Sequence, residues 1–128
     1  MAVKKKIADD FELHFLEGVL AKAPDFLQAL MALGDLYTKK GMYQNGLEVD
    51  KKLAALHPDN PFILYNLACS YSLLNELDKA FVYLQEAIHC GYDNFYYMFT
   101  DGDLANLHKD SRFQQYISRI TTKQTRSS

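Results

Sequence analysis

The chain has 128 residues, 48% of them hydrophobic and 23% charged, with 14 basic against 16 acidic side chains. This is the balance of one ordinary globular domain, long enough for a continuous core and too short for two. The net charge of −2 supplies no basic face for nucleic acid or an anionic membrane. No stretch reaches the roughly 18 apolar residues of a membrane span.

Residues 1–7 read as a flexible, solvated leader. Lys4, Lys5 and Lys6 are followed by Asp9, Asp10 and Glu12 rather than by an apolar run, which argues against a secretory signal. A first helix follows within residues 8–26, where Phe11, Phe15 and Val19, with Leu16 and Leu20, recur at helical spacing. A helix pair is expected over residues 27–60. Its first member ends at Gly41, a natural left-handed stop, and its second runs to His57-Pro58. A second pair spans 61–94, with Pro61 suited to the first helical turn. Asn75 stands where Gly41 stood, and Asn is the next best residue at a positive φ.

The two pairs are related by an offset of 34 residues. Leu30, Leu33, Gly34 and Tyr37 recur as Leu64, Leu67, Ala68 and Tyr71; Gly46 recurs as Ala80, and Pro24 as Pro58. A fixed period of this length signals stacked units, each unable to bury its apolar face alone. The small residues at 34, 46, 68 and 80 fall where the helices of a pair must approach closely. With Leu-Gly or Leu-Ala before Tyr, then a small residue, an apolar run and Pro, the pattern resembles the tetratricopeptide family over residues 8–120. The resemblance implies an all-α, right-handed α-α superhelix in a single domain. It would hold two full repeats, a leading half-repeat and a helical cap over 95–120.

In the cap, Phe95 to Phe99 begin a third unit that Asp101-Gly102-Asp103 interrupts. Asp110 is the expected N-cap of a last helix, whose stripe of Phe113, Tyr116, Ile117 and Ile120 covers the core. Residues 121–128 are polar and expected to be disordered.

Nothing in the chain supports an enzyme, a cofactor or a small-molecule substrate. There is no GxSxG, Walker loop or CxxC. Asp101-Gly102-Asp103 lacks the later acid of a calcium loop and reads as a turn with a helix cap. His14, His57, His89 and His108 lie far apart with no metal-ligand spacing. Antiparallel packing of the second pair sets Cys69 and Cys90 apart by about eight residues, roughly 12 Å, too far for a disulfide. A reducing cytoplasm is the expected compartment.

The distinctive signal is aromatic, nine Tyr and eight Phe without Trp. The resemblance implies that the first helix of each pair lines a concave groove. Gln28, Met31, Asp35 and Thr38 would face it in the first unit, and Phe62, Tyr65, Cys69 and Ser72 in the second. Tyr96 and Phe99 would continue the wall. The expected contact residues are Met31, Asp35, Phe62, Tyr65, Asn66, Cys69, Tyr96 and Phe99, and the expected occupant is a protein segment held by an adaptor or co-chaperone-like module. Two alternatives stay open: a homodimer interface on the same aromatics, and an accessory subunit of an enzyme. So does the question whether the rings face an open groove or pack under the cap. The basic clamp that grips chaperone C-termini in this family is largely missing, since Met31 and Asp35 stand where Lys and Asn would be expected.

Overall fold

A computed structural model of the chain describes the backbone of residues 2–127 and the side chains of residues 10–122. Among the described residues the structure is all-α, with no strand. No helix among them is long and apolar enough to cross a membrane. The chain divides into two compact units, Met1–Asp59 and Asn60–Ser128.

The first unit holds α1 (Ala2–Lys22), α2 (Leu27–Lys39) and α3 (Tyr43–Leu56). Leu16 of α1 packs with Ala29, Leu33 and Leu36 of α2, and Leu13, Val19, Leu20 and Val49 close around them. The buried side of α1 is therefore its leucines; Phe11 and Phe15, read as part of its apolar stripe, point outward. α2 crosses α3 at two glycines. A Cβ on Gly34 would lie 3.2 Å from Asp50 Oδ1 and 3.5 Å from Val49 Cγ1, and one on Gly46 would lie 3.6 Å from the Gly34 carbonyl. Larger side chains there would push the helices apart.

The second unit holds α4 (Pro61–Leu73), α5 (Leu77–His89), α6 (Phe95–Thr100), a 3-10 turn (Gly102–Leu104), α7 (Ala105–His108) and α8 (Ser111–Ser127). Asn60 caps α4 by accepting from the backbone N–H of Phe62 and Ile63, with Pro61 in the first turn. α4 packs on α5, with Ala68 and Ala80 both fully buried. Met98, Leu104, Leu107, Phe113 and Ile117 are buried in the same unit. Asp110 starts α8 by accepting from the Arg112 N–H at 2.8 Å. Tyr116 meets Phe81 edge to face, with centroids 5.7 Å apart.

Helices begin at residues 27, 61 and 95 and again at 43, 77 and 111. Both series advance in the 34-residue step visible in the sequence. α2 and α4 end alike, on left-handed residues Gly41 (φ 76°) and Asn75 (φ 59°). The N–H of Met42 then donates to Tyr37 O, and that of Glu76 to Tyr71 O, which satisfies carbonyls the helix end would leave open.

Two expectations about the ends are corrected. α1 begins at Ala2, within the expected leader, and α8 continues to Ser127, through the expected tail. Neither stretch contains a Gly or Pro to stop a helix. In the second, Thr121 and Thr122 hydroxyls donate to the Ile117 and Ser118 carbonyls. Met1 and Ser128 lie outside the described residues.

Candidate functional site: an aromatic surface on the second unit

The face of α4 expected to line an open groove carries Phe62, Tyr65, Cys69 and Ser72. From Tyr65 onward it is covered by the chain that follows α6. The Tyr65 hydroxyl donates to Asp101 Oδ2 at 2.7 Å, and Cys69 Sγ lies 3.8 Å from the same oxygen. The Ser72 hydroxyl accepts from the Leu107 N–H, and the Asn106 amide donates to the Ser72 carbonyl. Asp101 is itself fixed, because its Oδ1 accepts from the Asp103 N–H across the turn. The Asp101-Gly102-Asp103 segment is thus a turn with a cap, as its sequence suggests, and also a latch on α4.

Tyr65 and Cys69 are therefore corrected from surface contacts to buried residues. The rings above them form a continuous series. Tyr92 stacks on Tyr65 with centroids 4.2 Å apart and planes 5° from parallel. Phe62 meets the edge of Tyr92 at 6.1 Å, and Tyr97 leans on Tyr65 at 6.2 Å. Gly91 makes this possible: its φ of 114° turns the chain sharply after α5 and brings Tyr92 back over α4.

The outer members of this series are exposed, Phe62 at 63% and Tyr97 at 52%. On α6, Met98 points inward; at 100° per residue Tyr97 and Phe99 stand to either side of it and Tyr96 nearly opposite. Tyr96 is 81% exposed and Phe99 is also exposed. Of the expected contact residues, the structure brings Phe62, Tyr96 and Phe99 to the surface of this unit. Asn66 is half-buried on α4. Met31 and Asp35 belong to the first unit, where both are exposed on α2.

Tyr92, Tyr97 and Asp101 were missed by sequence reasoning. One signal pointed to Tyr92. It stands 34 residues after Pro58, so a ring replaces the Pro that closes both earlier units.

The electrostatics of the buried layer are those of neutral groups. Burial pushes the Tyr65 hydroxyl well above the ordinary tyrosine range, and neighbouring Cys69 and Asp101 push it further. Burial, then the charges of Asp101 and Asp103, raise the Cys69 thiol. A thiol so raised is the form that neither attacks a substrate nor binds a metal. Cys69 and Cys90 are both free. Of the four histidines, His108 has a fixed polar contact: its Nε2–H donates to the Met98 carbonyl at 2.9 Å. Among the described residues no group of three or more His, Cys, Asp or Glu could hold a metal ion.

No family model matches the chain. Over 87 residues it is 30% identical to a curated chloroplastic protein of Arabidopsis thaliana; the matched stretch takes in 66% of this chain and 26% of that protein. The chain spans about a quarter of the length of the curated relative it resembles.

Proposed function

We propose that the chain is a non-catalytic protein-binding module built from tetratricopeptide repeats, and that it binds a partner segment on the aromatic surface of its second unit. The 34-residue spacing of helix starts and the repeated left-handed ends at Gly41 and Asn75 support the repeat assignment. The binding reading is carried by one observation. Phe62 and Tyr97 are exposed against a ring stack that is itself held by Asp101, and Tyr96 and Phe99 are exposed on the outer side of α6. Contiguous exposed apolar surface marks contact sites, and aromatic side chains on a rigid support contribute most of the energy where they become buried. The free thiols fit a reducing compartment such as the cytoplasm.

A displayed library of random peptides, panned on the full chain, tests this reading. Enriched peptides should lose binding to the Tyr96→Ser/Tyr97→Ser variant while that variant melts close to wild type. Peptides that bind both proteins equally, or no enrichment at all, would remove it. The second reading, a homodimer through the same rings, predicts a dimer mass in solution that Tyr96→Ser converts to monomer.

A further inference from the structure

Charge in the second unit is segregated along the chain. Apart from Lys79, every Lys and Arg of this unit lies at or beyond Lys109. The stretch between those two lysines contains Glu86, Asp93, Asp101 and Asp103 and no Lys or Arg; its two histidines are His89, on α5, and His108, whose Nε2 is held by the Met98 carbonyl. Among the described residues of this unit, it also contains every exposed Phe and Tyr except Phe62. α6 is bracketed by acids, with Asp93 exposed just before it and Asp101 and Asp103 just after. Six residues of helix span about 9 Å, so carboxylates at both ends lie within roughly one Debye length of the rings between them.

The π-face of an aromatic ring is electron-rich and attracts a cation placed over it, and carboxylates beside the ring strengthen the attraction. The chain already uses this geometry internally. Lys79 Nζ lies 5.6 Å from the Tyr71 centroid and the Arg112 guanidinium 5.7 Å from that of Phe81. Phosphate-rich partners would meet carboxylates at both ends of α6 and no Lys or Arg between them.

We propose that this surface takes a cationic segment of a partner protein, with Arg or Lys side chains laid over Tyr96 and Tyr97 and apolar side chains against Phe62 and Phe99. The charges of Asp93 and Asp103 select that segment. This inference rests on the protein-binding reading above and adds the chemistry of the partner.

The probes are three matched peptides of alternating Leu with Arg, Ser or Glu, titrated into the full chain. The Arg peptide should bind at least about tenfold more tightly than the Ser peptide, and the Glu peptide should not bind measurably. Affinity for the Arg peptide should fall by about tenfold in Asp93→Asn/Asp103→Asn and measurably in Asp93→Asn alone, whose site is exposed. Glu86→Gln, which removes an acid from α5 outside the bracket, should leave it unchanged. Equal binding of the Arg and Ser peptides would overturn the inference, as would equal losses in the Asp93 and Glu86 variants. The library experiment separates the two failures. Neutral peptides that depend on Tyr96 and Tyr97 would leave the binding module standing and remove its cationic partner. The absence of any such peptide would remove both.

Discussion

The Tyr65 hydroxyl donates to Asp101 Oδ2 at 2.7 Å and so ties α4 to the turn after α6, 36 residues further along the chain. The bond divides the aromatic residues into two classes. Tyr65 and Tyr92 lie beneath the surface and hold it; Phe62, Tyr96, Tyr97 and Phe99 form it.

Tyr65→Ala should cost about 3–5 kcal/mol of stability, the scale of truncating a buried aromatic ring. Tyr65→Phe keeps the stack on Tyr92 and removes only the donor to a carboxylate, for which about 1–2 kcal/mol is expected. Urea denaturation of both variants checks the order. Equal losses would mean that the hydrogen bond, not the ring, holds the turn.

The same residue sets an alkaline limit. Its folded pKa lies above the ordinary 10.0, with burial the first cause, so the unfolded chain releases this proton first as pH rises. The contribution of Tyr65 is complete below pH 10 and is lost above it, by at most about 1.4 kcal/mol per pH unit for one proton. Tyr92 is shifted the same way, so Tyr65→Phe should lessen the slope of stability above pH 10 without abolishing it. An unchanged slope in Tyr65→Phe would contradict the assignment.

Ala68→Leu and Ala80→Leu should each destabilise by about 1–3 kcal/mol, because both sites are fully buried where α4 meets α5. At the helix ends, Gly41→Ala should cost about 1–2 kcal/mol, since its φ of 76° is one that a Cβ disfavours. Asn75→Gly, at φ 59°, should be neutral or slightly stabilising. Thermal melts of the four variants check the repeat positions; neutral results at 68, 80 and 41 together would mean that they are misassigned.

Much of this fold was legible because repetition is a local signal. The 34-residue offset identified helix pairs, the small residues at their crossings and Asn75 as the counterpart of Gly41, and Asp110 carried its own capping chemistry. The cover over Tyr65 was not legible. It depends on a left-handed turn at Gly91 and on a carboxylate 36 residues away, and neither has a sequence period. An Asp-Gly-Asp turn looks the same whether its first carboxylate faces water or a buried tyrosine. Helical spacing likewise grouped Phe11 and Phe15 with the leucines of α1 because periodicity reports apolar type, while α2 covers only the leucine side.

Short acidic peptides ending in a free carboxylate should show no measurable affinity. Asp35 is exposed on α2, and Met31 offers no positive charge where a clamp would need one. Calorimetric titration with such a peptide giving a micromolar constant would contradict this.

The most direct test of the central claim compares Tyr96→Ala with Tyr65→Ala for both melting and the binding of a peptide selected on wild type. Tyr96→Ala, at an exposed site, should change stability by no more than about 0.5 kcal/mol and weaken binding by about 2 kcal/mol. Tyr65→Ala should lower the melting temperature strongly. Where it remains folded, its binding loss should follow the loss of structure. If Tyr96→Ala instead destabilises the fold, or leaves binding untouched, α6 is not a contact surface and the account fails.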